Sequence, residues 1–214
     1  MVVKRKLDGR KERSRLTRRR IVDAATHLFI DHGYLATTIE DVAEHAGVAV
    51  QTIYYVFGTK PKLLAAVLDA SIAGDVEPVP VLERSWVGSL EAEQDATAAV
   101  QRLIEATVTI VARATPIYEV VRRASADPDV SSLLTDTRRR RRDDQHELIE
   151  ILSRSGHLHP DVHVDAAADV LYGLINEEVF QLLTGDCGWD MDRFRHWATS
   201  LILQQVVDTD PARP

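Results

Sequence analysis

The sequence is poor in cysteine and in long apolar runs, and each shortage excludes a class of protein. Cys187 is the single cysteine among 214 residues, so an internal disulfide framework is impossible and a cysteine-based zinc site lacks ligands. The apolar runs are all far shorter than the roughly 20 residues that cross a bilayer. The N-terminus is basic and has no apolar signal core, so we expect a cytoplasmic protein without a membrane partner.

Basic residues are concentrated at one end of an acidic chain. The formal net charge is -7, yet residues 1–64 carry 12 Lys/Arg against 7 Asp/Glu, or +5, which leaves -12 for the other 150 residues. Ten of these bases stand in the first 20 positions. This distribution predicts a polyanion bound at one end of the molecule. Residues 1–14 are predicted to be a flexible basic arm that either adds contacts to that polyanion or serves only as a solubilising tail.

Catalytic motifs are missing as well. The sequence contains no G-x-S-x-G, no P-loop and no G-x-G-x-x-G, so we predict no enzyme activity, no catalytic residue and no cofactor. His157, His159 and His163 stand close together in HLHPDVH. Pro160 places them in a connector between helices, which we expect to be exposed, and no metal site is predicted.

Helical patterns cover most of the chain, and no internal repeat or alternating strand-like run is present. Thr38 and Asp41, three residues apart, form a T-x-x-D capping box at the start of a short helix. Gly47 ends that helix, and Thr59 is placed to cap a later one. The first four helices are predicted over residues 15–32, 38–46, 50–57 and about 60–73.

A longer set of helical patterns follows a connector at residues 75–89, which contains two prolines and a glycine. Five helices of this size suit a helical bundle. The sequence therefore predicts an all-α fold with an N-terminal three-helix domain and a C-terminal bundle. The helices of the bundle are predicted over about 90–115, 116–126, 130–155, 163–184 and 191–207.

Two short helices joined by a turn at Gly47 have the sequence form of a helix-turn-helix, whose second helix reads DNA. At 100° per residue, Ile53 and Phe57 lie on one side of that helix, and Gln51 and Tyr55 point almost opposite. We expect Gln51 and Tyr55 to face bases in the major groove. The residues predicted to contact phosphates are Thr52, Tyr54 and Lys60.

The segment TTIEDVAEHAGVAVQTIYYVFGTKPKLL resembles the DNA-binding segment of the tetracycline-repressor (TetR) family of bacterial regulators. The resemblance covers roughly residues 15–68. Residues at the recurrent positions of that family are Thr38, Ala43, Ala46, Gly47, Val48, Thr52, Tyr54, Phe57, Lys60 and Leu63. The resemblance implies phosphate contacts by Thr38, Thr52, Tyr54 and Lys60, and base contacts by Val50, Gln51 and Tyr55.

Two residues depart from the pattern of that family. Ala49 stands where most members have Ser, which removes a side-chain cap worth about 1 kcal/mol, so we expect the start of the reading helix to fray without DNA. Val56 replaces a frequent His and deletes one polar contact.

The two C-terminal helical patterns are apolar on more than one side, which suits either a bundle core or a core plus a partner subunit. The segment EEVFQLLTGDCGWDMDRFRHWATSLI is loosely similar to the last two helices of many TetR members. The resemblance implies a homodimer that reads a palindromic operator with two symmetric helices. The residues predicted at the dimer interface are Leu171, Ile175, Val179, Leu182, Phe194, Trp197, Leu201 and Ile202.

Polar residues within the bundle patterns are candidates for binding a small-molecule effector of unknown identity, which the resemblance also implies. Each could equally face solvent or bond internally. The run Arg138–Arg142 is expected to be a solvated helix face with pairs such as Arg139–Asp143 and Arg140–Asp144, or else to turn one or two arginines inward onto an anionic effector. The predicted effector-binding residues are Tyr118, His146, Tyr172, Asn176 and Glu177.

These features predict a transcriptional regulator, in the simplest form a repressor released by an effector. Its predicted parts are the arm 1–14, a DNA-binding domain 15–60, a connecting helix 60–75, an effector-binding and dimerisation domain 76–208 and a tail 209–214. One alternative is a helical ligand-binding protein or enzyme whose first domain only resembles a helix-turn-helix. Another is an architectural DNA-binding protein without an effector.

Overall fold

A computed structural model describes residues 2–77 and 79–207, with side chains from residue 12 onward. The described residues are helical apart from loops and one isolated bridge between Leu158 and Val207, which confirms the all-α prediction. The ten α-helices are α1 Val2–His32, α2 Ile39–Ala46, α3 Val50–Phe57, α4 Lys60–Ala73, α5 Ser85–Glu91, α6 Ala96–Arg123, α7 Pro128–Arg154, α8 Val164–Leu174, α9 Glu177–Gln181 and α10 Met191–Gln205.

Helix α1 begins at Val2, so its backbone includes residues 2–14, which the sequence predicts as a separate arm. Lys, Arg and Glu have good helix propensity, which accounts for the extension. The predicted contacts of the basic side chains up to Lys11 lie outside the described residues. The predicted tail, 209–214, lies outside them too.

The chain divides into two compact units. The first unit is Met1–Pro78 with Pro116–Leu134, and the second is Val79–Thr115 with Thr135–Pro214. The predicted domains placed residues 116–134 in the second domain, whereas their apolar side chains join the core of α1 to α4. These side chains are Ile117, Tyr118, Val120, Val121, Ala124, Val130 and Leu134.

Helix α6 runs through Pro116, where the sequence predicted a break. Proline has no N–H to donate within the helix, which weakens the helix locally. Ile117 and Tyr118, which follow the proline, are both buried in the core of the first unit. Burial of these large side chains stabilises the helix beyond the proline.

The core of the second unit joins α5, the first part of α6, the last turns of α7, and α8 to α10. A short helix, α5, and a 3₁₀ turn at Val81–Glu83 occupy part of the segment predicted as a connector. The predicted single helix 163–184 is divided: α8 ends at Leu174, α9 begins at Glu177, and one π-helical turn, Leu182–Asp186, follows.

Asn176 explains the division. Its side chain accepts a hydrogen bond from the Val179 N–H (2.8 Å), which caps α9 as a new helix. Glu177 and Glu178 follow in the first turn, where the helix dipole favours acidic residues. An Asn followed by two acidic residues is a helix-start pattern that was available in the sequence.

Candidate functional site

Helix α2 is held at its start by the predicted capping box. The Asp41 N–H donates to the Thr38 hydroxyl (3.1 Å), and the Thr38 N–H donates to the Asp41 carboxylate (2.8 Å). These bonds lower the pKa of Asp41, chiefly through the Thr38 side chain. Thr38 is therefore fixed at the surface, with its side chain already engaged in the cap.

The turn between α2 and α3 is built on Gly47, which has a left-handed backbone with φ of 62°. Its N–H donates to the Ala43 and Glu44 carbonyls, as at many helix C-termini. Arg20 of α1 contacts the same turn and donates from Nη2 to the carbonyls of Ala46 and Gly47, the latter at 3.0 Å.

Helix α3 has one buried and one exposed side, as the 100° step predicts. Ile53 and Phe57 are 1% and 7% exposed, whereas Tyr55 is 89% exposed and Gln51 is exposed beside it. Tyr54 is half exposed. Two further predicted contact residues, Val50 and Thr52, are partly buried at the start of the helix.

The two ends of α3 are fixed by different means. At its start, Ala49 provides no side-chain hydrogen bond, as predicted from the missing serine. At its end, the Gly58 N–H donates to the Tyr54 carbonyl (2.9 Å), and the Arg18 guanidinium lies over the Phe57 ring, 4.7 Å from its centroid. The side chain of Thr59 then caps α4, as predicted.

Lys60, the predicted phosphate contact at the foot of α4, lies against Tyr34. Its ammonium is 4.3 Å from the centroid of that ring, and burial lowers the pKa of Lys60. Burial together with the Asp127 and Asp129 charges raises the pKa of Tyr34 to about 12. Tyr34 therefore keeps its proton at neutral pH.

A buried ion pair joins α7 and α9 in the second unit. The Arg141 guanidinium pairs with the Glu177 carboxylate, their side chains are 14% and 5% exposed, and the guanidinium also lies over the Tyr172 ring at 4.9 Å. One turn along α7, the Gln145 amide donates to the Ile175 carbonyl at the end of α8 (3.0 Å). Gln145 is buried, and its Oε1 has no hydrogen-bond partner among the described residues.

The arginines of the run Arg138–Arg142 make both interior and surface ion pairs. Arg141 turns inward, as the alternative interpretation of the run expected, and it meets Glu177. Arg138 pairs with Glu178 (2.7 Å) and Arg142 with Asp169 (3.0 Å) at the surface. Arg139 pairs with Asp136 (3.1 Å), three residues before it, rather than with the predicted Asp143. Sequence reasoning missed the cross-helix pairs because they depend on tertiary packing.

The structure brings three of the five predicted effector-binding residues together. Tyr172, Asn176 and Glu177 lie around the junction of α8 and α9. His146 is partly exposed and contacts Asp165 (2.9 Å). Tyr118 is fully buried in the core of the first unit, whereas Tyr172, Asn176 and Glu177 belong to the second unit.

The eight predicted dimer-interface residues divide into core and surface. Four of them are fully buried in the core of the second unit: Leu171, Ile175, Phe194 and Ile202. The other four, Val179, Leu182, Trp197 and Leu201, are at least partly exposed, and Leu182 is 52% exposed.

His157 differs from the exposed connector that the sequence predicts. It is 5% exposed, and its Nε2 contacts the Glu93 carbonyl oxygen at 3.0 Å. His159 contacts the Asp161 backbone N–H instead (3.2 Å). Within the described part of the chain, the two rings therefore serve separate local contacts.

The first unit thus contains a helix-turn-helix, α2 and α3, and one side of α3 is exposed. Residues 21–67 match the family described as "Bacterial regulatory proteins, tetR family". Over these residues the chain is similar to that family of bacterial regulators.

Known transcriptional regulators are similar to this chain over very different shares of their length. The transcriptional regulator SrpR of Pseudomonas putida is 36% identical over 83 residues, which cover 37% of this chain and 39% of SrpR. The transcriptional repressor BepR of Brucella suis is 23% identical over 89% of this chain and 91% of its own length. A solved transcriptional regulator from Saccharomonospora viridis, in complex with choline, has a TM-score of 0.66 and 25% identity over 89% of this chain and 97% of that one.

Among the described residues, no helix is both long enough and apolar enough to span a membrane.

Proposed function

We propose that this chain is a sequence-specific DNA-binding transcriptional regulator. The observation that carries the proposal is the division of α3 between a buried anchor, Ile53 and Phe57, and an exposed face with Tyr55 89% in solvent. On that face Gln51 offers both a donor and an acceptor to adenine, and Tyr55 offers a ring and a hydroxyl to a thymine methyl group or a base edge.

The proposed contacts extend to both sides of the reading helix. Val50 is assigned to bases, and Thr38, Thr52, Tyr54 and Lys60 are assigned to phosphates. For Lys60, the observed position over Tyr34 supports a cation held close to the surface. Phosphate contacts of this kind fix the register of a protein on DNA, whereas base contacts provide specificity.

The test is DNase footprinting on the DNA upstream of the gene that encodes this chain, because it gives the site, its symmetry and its half-site spacing together. On the protected fragment, Tyr55→Ala should change the ranking of base-substituted sites. Tyr54→Phe should weaken all of them evenly. The reverse pattern would show that the helix is rotated, and the absence of any salt-dependent footprint would favour a ligand-binding protein or enzyme.

The basic residues before Arg15 are proposed to add phosphate contacts. Deletion of residues 1–12 should weaken binding to every sequence and reduce the slope of log affinity against log salt concentration. An unchanged slope would leave the segment with a solubilising role.

We further propose that the regulator is a homodimer that reads a palindrome. Apolar side chains of α9, the π-helical turn and α10 that are at least partly exposed support it: Val179, Leu182, Trp197 and Leu201. Light scattering at micromolar concentration should give twice the mass of the chain, and Leu182→Lys should reduce it to one chain. Leu35→Lys, at an exposed leucine of the first unit, is the matched control that keeps the dimer.

The regulator is proposed to be a repressor that a small molecule releases from DNA. The support is the polar junction of α8 and α9, with Tyr172, Asn176 and Glu177, and the choline complex of the Saccharomonospora regulator. Fluorescence anisotropy of the operator complex, titrated with choline and with acidic and apolar compounds, should identify a releasing compound. Glu177→Gln should alter its potency more than Glu178→Gln does. A broad panel with no releasing compound would favour an effector-independent architectural protein.

A further inference from the structure

Arg20, on the exposed side of α1, is bonded to the turn that leads into the reading helix. We propose that Arg20 is a positioning residue for α3, which fixes the direction of that helix through the turn and does not itself contact DNA. The inference rests on the proposed DNA-binding function. Its structural part can be tested on the free protein.

The end of α2 supplies the acceptors for this contact. The Gly47 N–H and the Val48 N–H both bond back to the Ala43 carbonyl, which closes the helix. The carbonyls of Ala46 and Gly47 follow and have no partner within an ideal helix. Arg20 donates to both from Nη2 and places a cation where the dipole of α2 is negative.

The start of α3 cannot hold this geometry alone. Ala49 makes no side-chain hydrogen bond, and no acidic residue stands in the first turn of α3. Most helices use one of these devices at the N-terminus. Because α3 has neither, the bonds from Arg20 replace a local cap with a contact from another helix.

The guanidinium lies directly against the turn. A Cβ added to Gly47 would be 2.8 Å from Arg20 Nη2, closer than ordinary packing permits. Ile53 and Phe57 fix the rotation of α3 about its own axis through burial. Arg20 instead fixes the direction in which α3 leaves the turn, because it holds the segment 47–49 that leads into the helix.

A positioning residue differs from a phosphate contact because its hydrogen-bond donors are used within the protein. The Nη2 hydrogens of Arg20 are already directed at two carbonyl oxygens. Loss of the guanidinium should therefore loosen the turn and misdirect Gln51 and Tyr55. It should leave unchanged the number of cations displaced from DNA, which sets the slope of affinity against salt.

The matched variants are Arg20→Met and Arg19→Met. Each removes one positive charge and keeps much of the aliphatic chain, and Arg19 is an exposed neighbour that pairs only loosely with Asp23 (3.7 Å). In the free protein, amide hydrogen exchange over residues 46–52 should accelerate in Arg20→Met and not in Arg19→Met, while the melting temperatures of the two variants stay equal. Equal exchange rates in the two variants would overturn the inference without touching the proposed function.

On operator DNA, Arg20→Met should bind about tenfold more weakly than Arg19→Met, which is the scale of one charge-assisted hydrogen bond. Binding to unrelated DNA and the salt slope should be the same for both variants. A salt slope smaller by about one in Arg20→Met alone would instead make Arg20 a phosphate contact and overturn the inference. If the unmodified chain shows no specific site, the proposed function fails, and the exchange experiment still decides the role of Arg20 in the turn.

Discussion

The polar side chains on the outer face of α3 are exposed to solvent, whereas those at the junction of α7 with α9 are mostly buried. On α3, Gln51 and Tyr55 extend into solvent. At the junction, Arg141 and Glu177 are mostly buried and neutralise one another. The first arrangement leaves polar groups open to a partner, whereas the second uses them within the fold.

This contrast separates binding from stability. An exposed side chain contributes little to folding, so its removal should be felt only when DNA is present. A buried ion pair has lost its hydration, so removal of one member leaves a charge without compensation. Substitutions in the two regions should therefore produce different phenotypes.

The largest effect is expected from breaking the buried pair. Arg141→Met leaves Glu177 buried without its counter-ion, which should lower the free energy of unfolding of the second unit by about 3–5 kcal/mol. The double variant Arg141→Met, Glu177→Met should recover much of this loss because neither charge remains. Urea unfolding followed by tryptophan fluorescence measures the free energy of unfolding of the second unit, since the three tryptophans all lie there.

Arg142→Met is the control for that experiment. Arg142 pairs with Asp169 at the surface, where both side chains are more than half exposed, and such a pair contributes roughly 0–1 kcal/mol. Equal losses for Arg141→Met and Arg142→Met would show that the Glu177 carboxylate is solvated and that the contrast with α3 does not hold.

A second test compares the two sides of α3. Ile53→Ala removes a fully buried side chain and should lower the stability of the first unit by about 2–5 kcal/mol. Tyr55→Ala should change it by no more than about 0.5 kcal/mol and should still change the ranking of base-substituted DNA sites. Urea unfolding followed by circular dichroism gives the first quantity and anisotropy gives the second.

Similar destabilisation by Ile53→Ala and Tyr55→Ala would mean that the Tyr55 ring packs on the protein. Gln51→Ala serves as a further check, because it lies on the same exposed side. It should follow Tyr55→Ala in both measurements.

The same contrast explains how much the sequence could predict. The bounds of α2 to α4 follow from residues inside each segment, namely the caps Thr38 and Thr59 and the stop at Gly47, and the structure confirms these caps. The buried and exposed sides of α3 follow from helix periodicity. Contacts with DNA stay predictions.

The second unit was harder to predict because its decisive contacts join distant segments. Arg141 and Glu177 are 36 positions apart, and nothing local shows which arginine of the run turns inward. Likewise, residues 116–134 look like bundle helices in sequence, and only packing shows that they join the first-unit core. The helix break at Asn176 could be predicted from its N-cap pattern, but the apolar residues on both sides of it favour one continuous helix.

A smaller effect is expected at the capping box. Thr38→Ala removes the acceptor for the Asp41 N–H at the start of α2 and should cost about 1 kcal/mol of first-unit stability. Thr17→Ala is the matched control, because the Thr17 hydroxyl only bonds back to the Arg13 carbonyl within α1 (2.9 Å). It should be near neutral, since alanine favours the helix interior. A neutral Thr38→Ala would show that Thr38 does not stabilise the cap.

The smallest effect is the acid dependence of that cap. The Thr38 side chain and backbone hold the pKa of Asp41 below its ordinary value of 3.8 in the folded protein. A depressed pKa means that the folded state favours the ionised form, so the contribution to stability is complete above pH 3.8 and is lost as pH falls through the folded value. In Thr38→Ala the Asp41 pKa should rise toward 3.8, while the backbone bond keeps part of the shift. Carboxyl NMR titration of both proteins measures it, and an Asp41 pKa that is the same in both would show that the hydroxyl of Thr38 is not its cause.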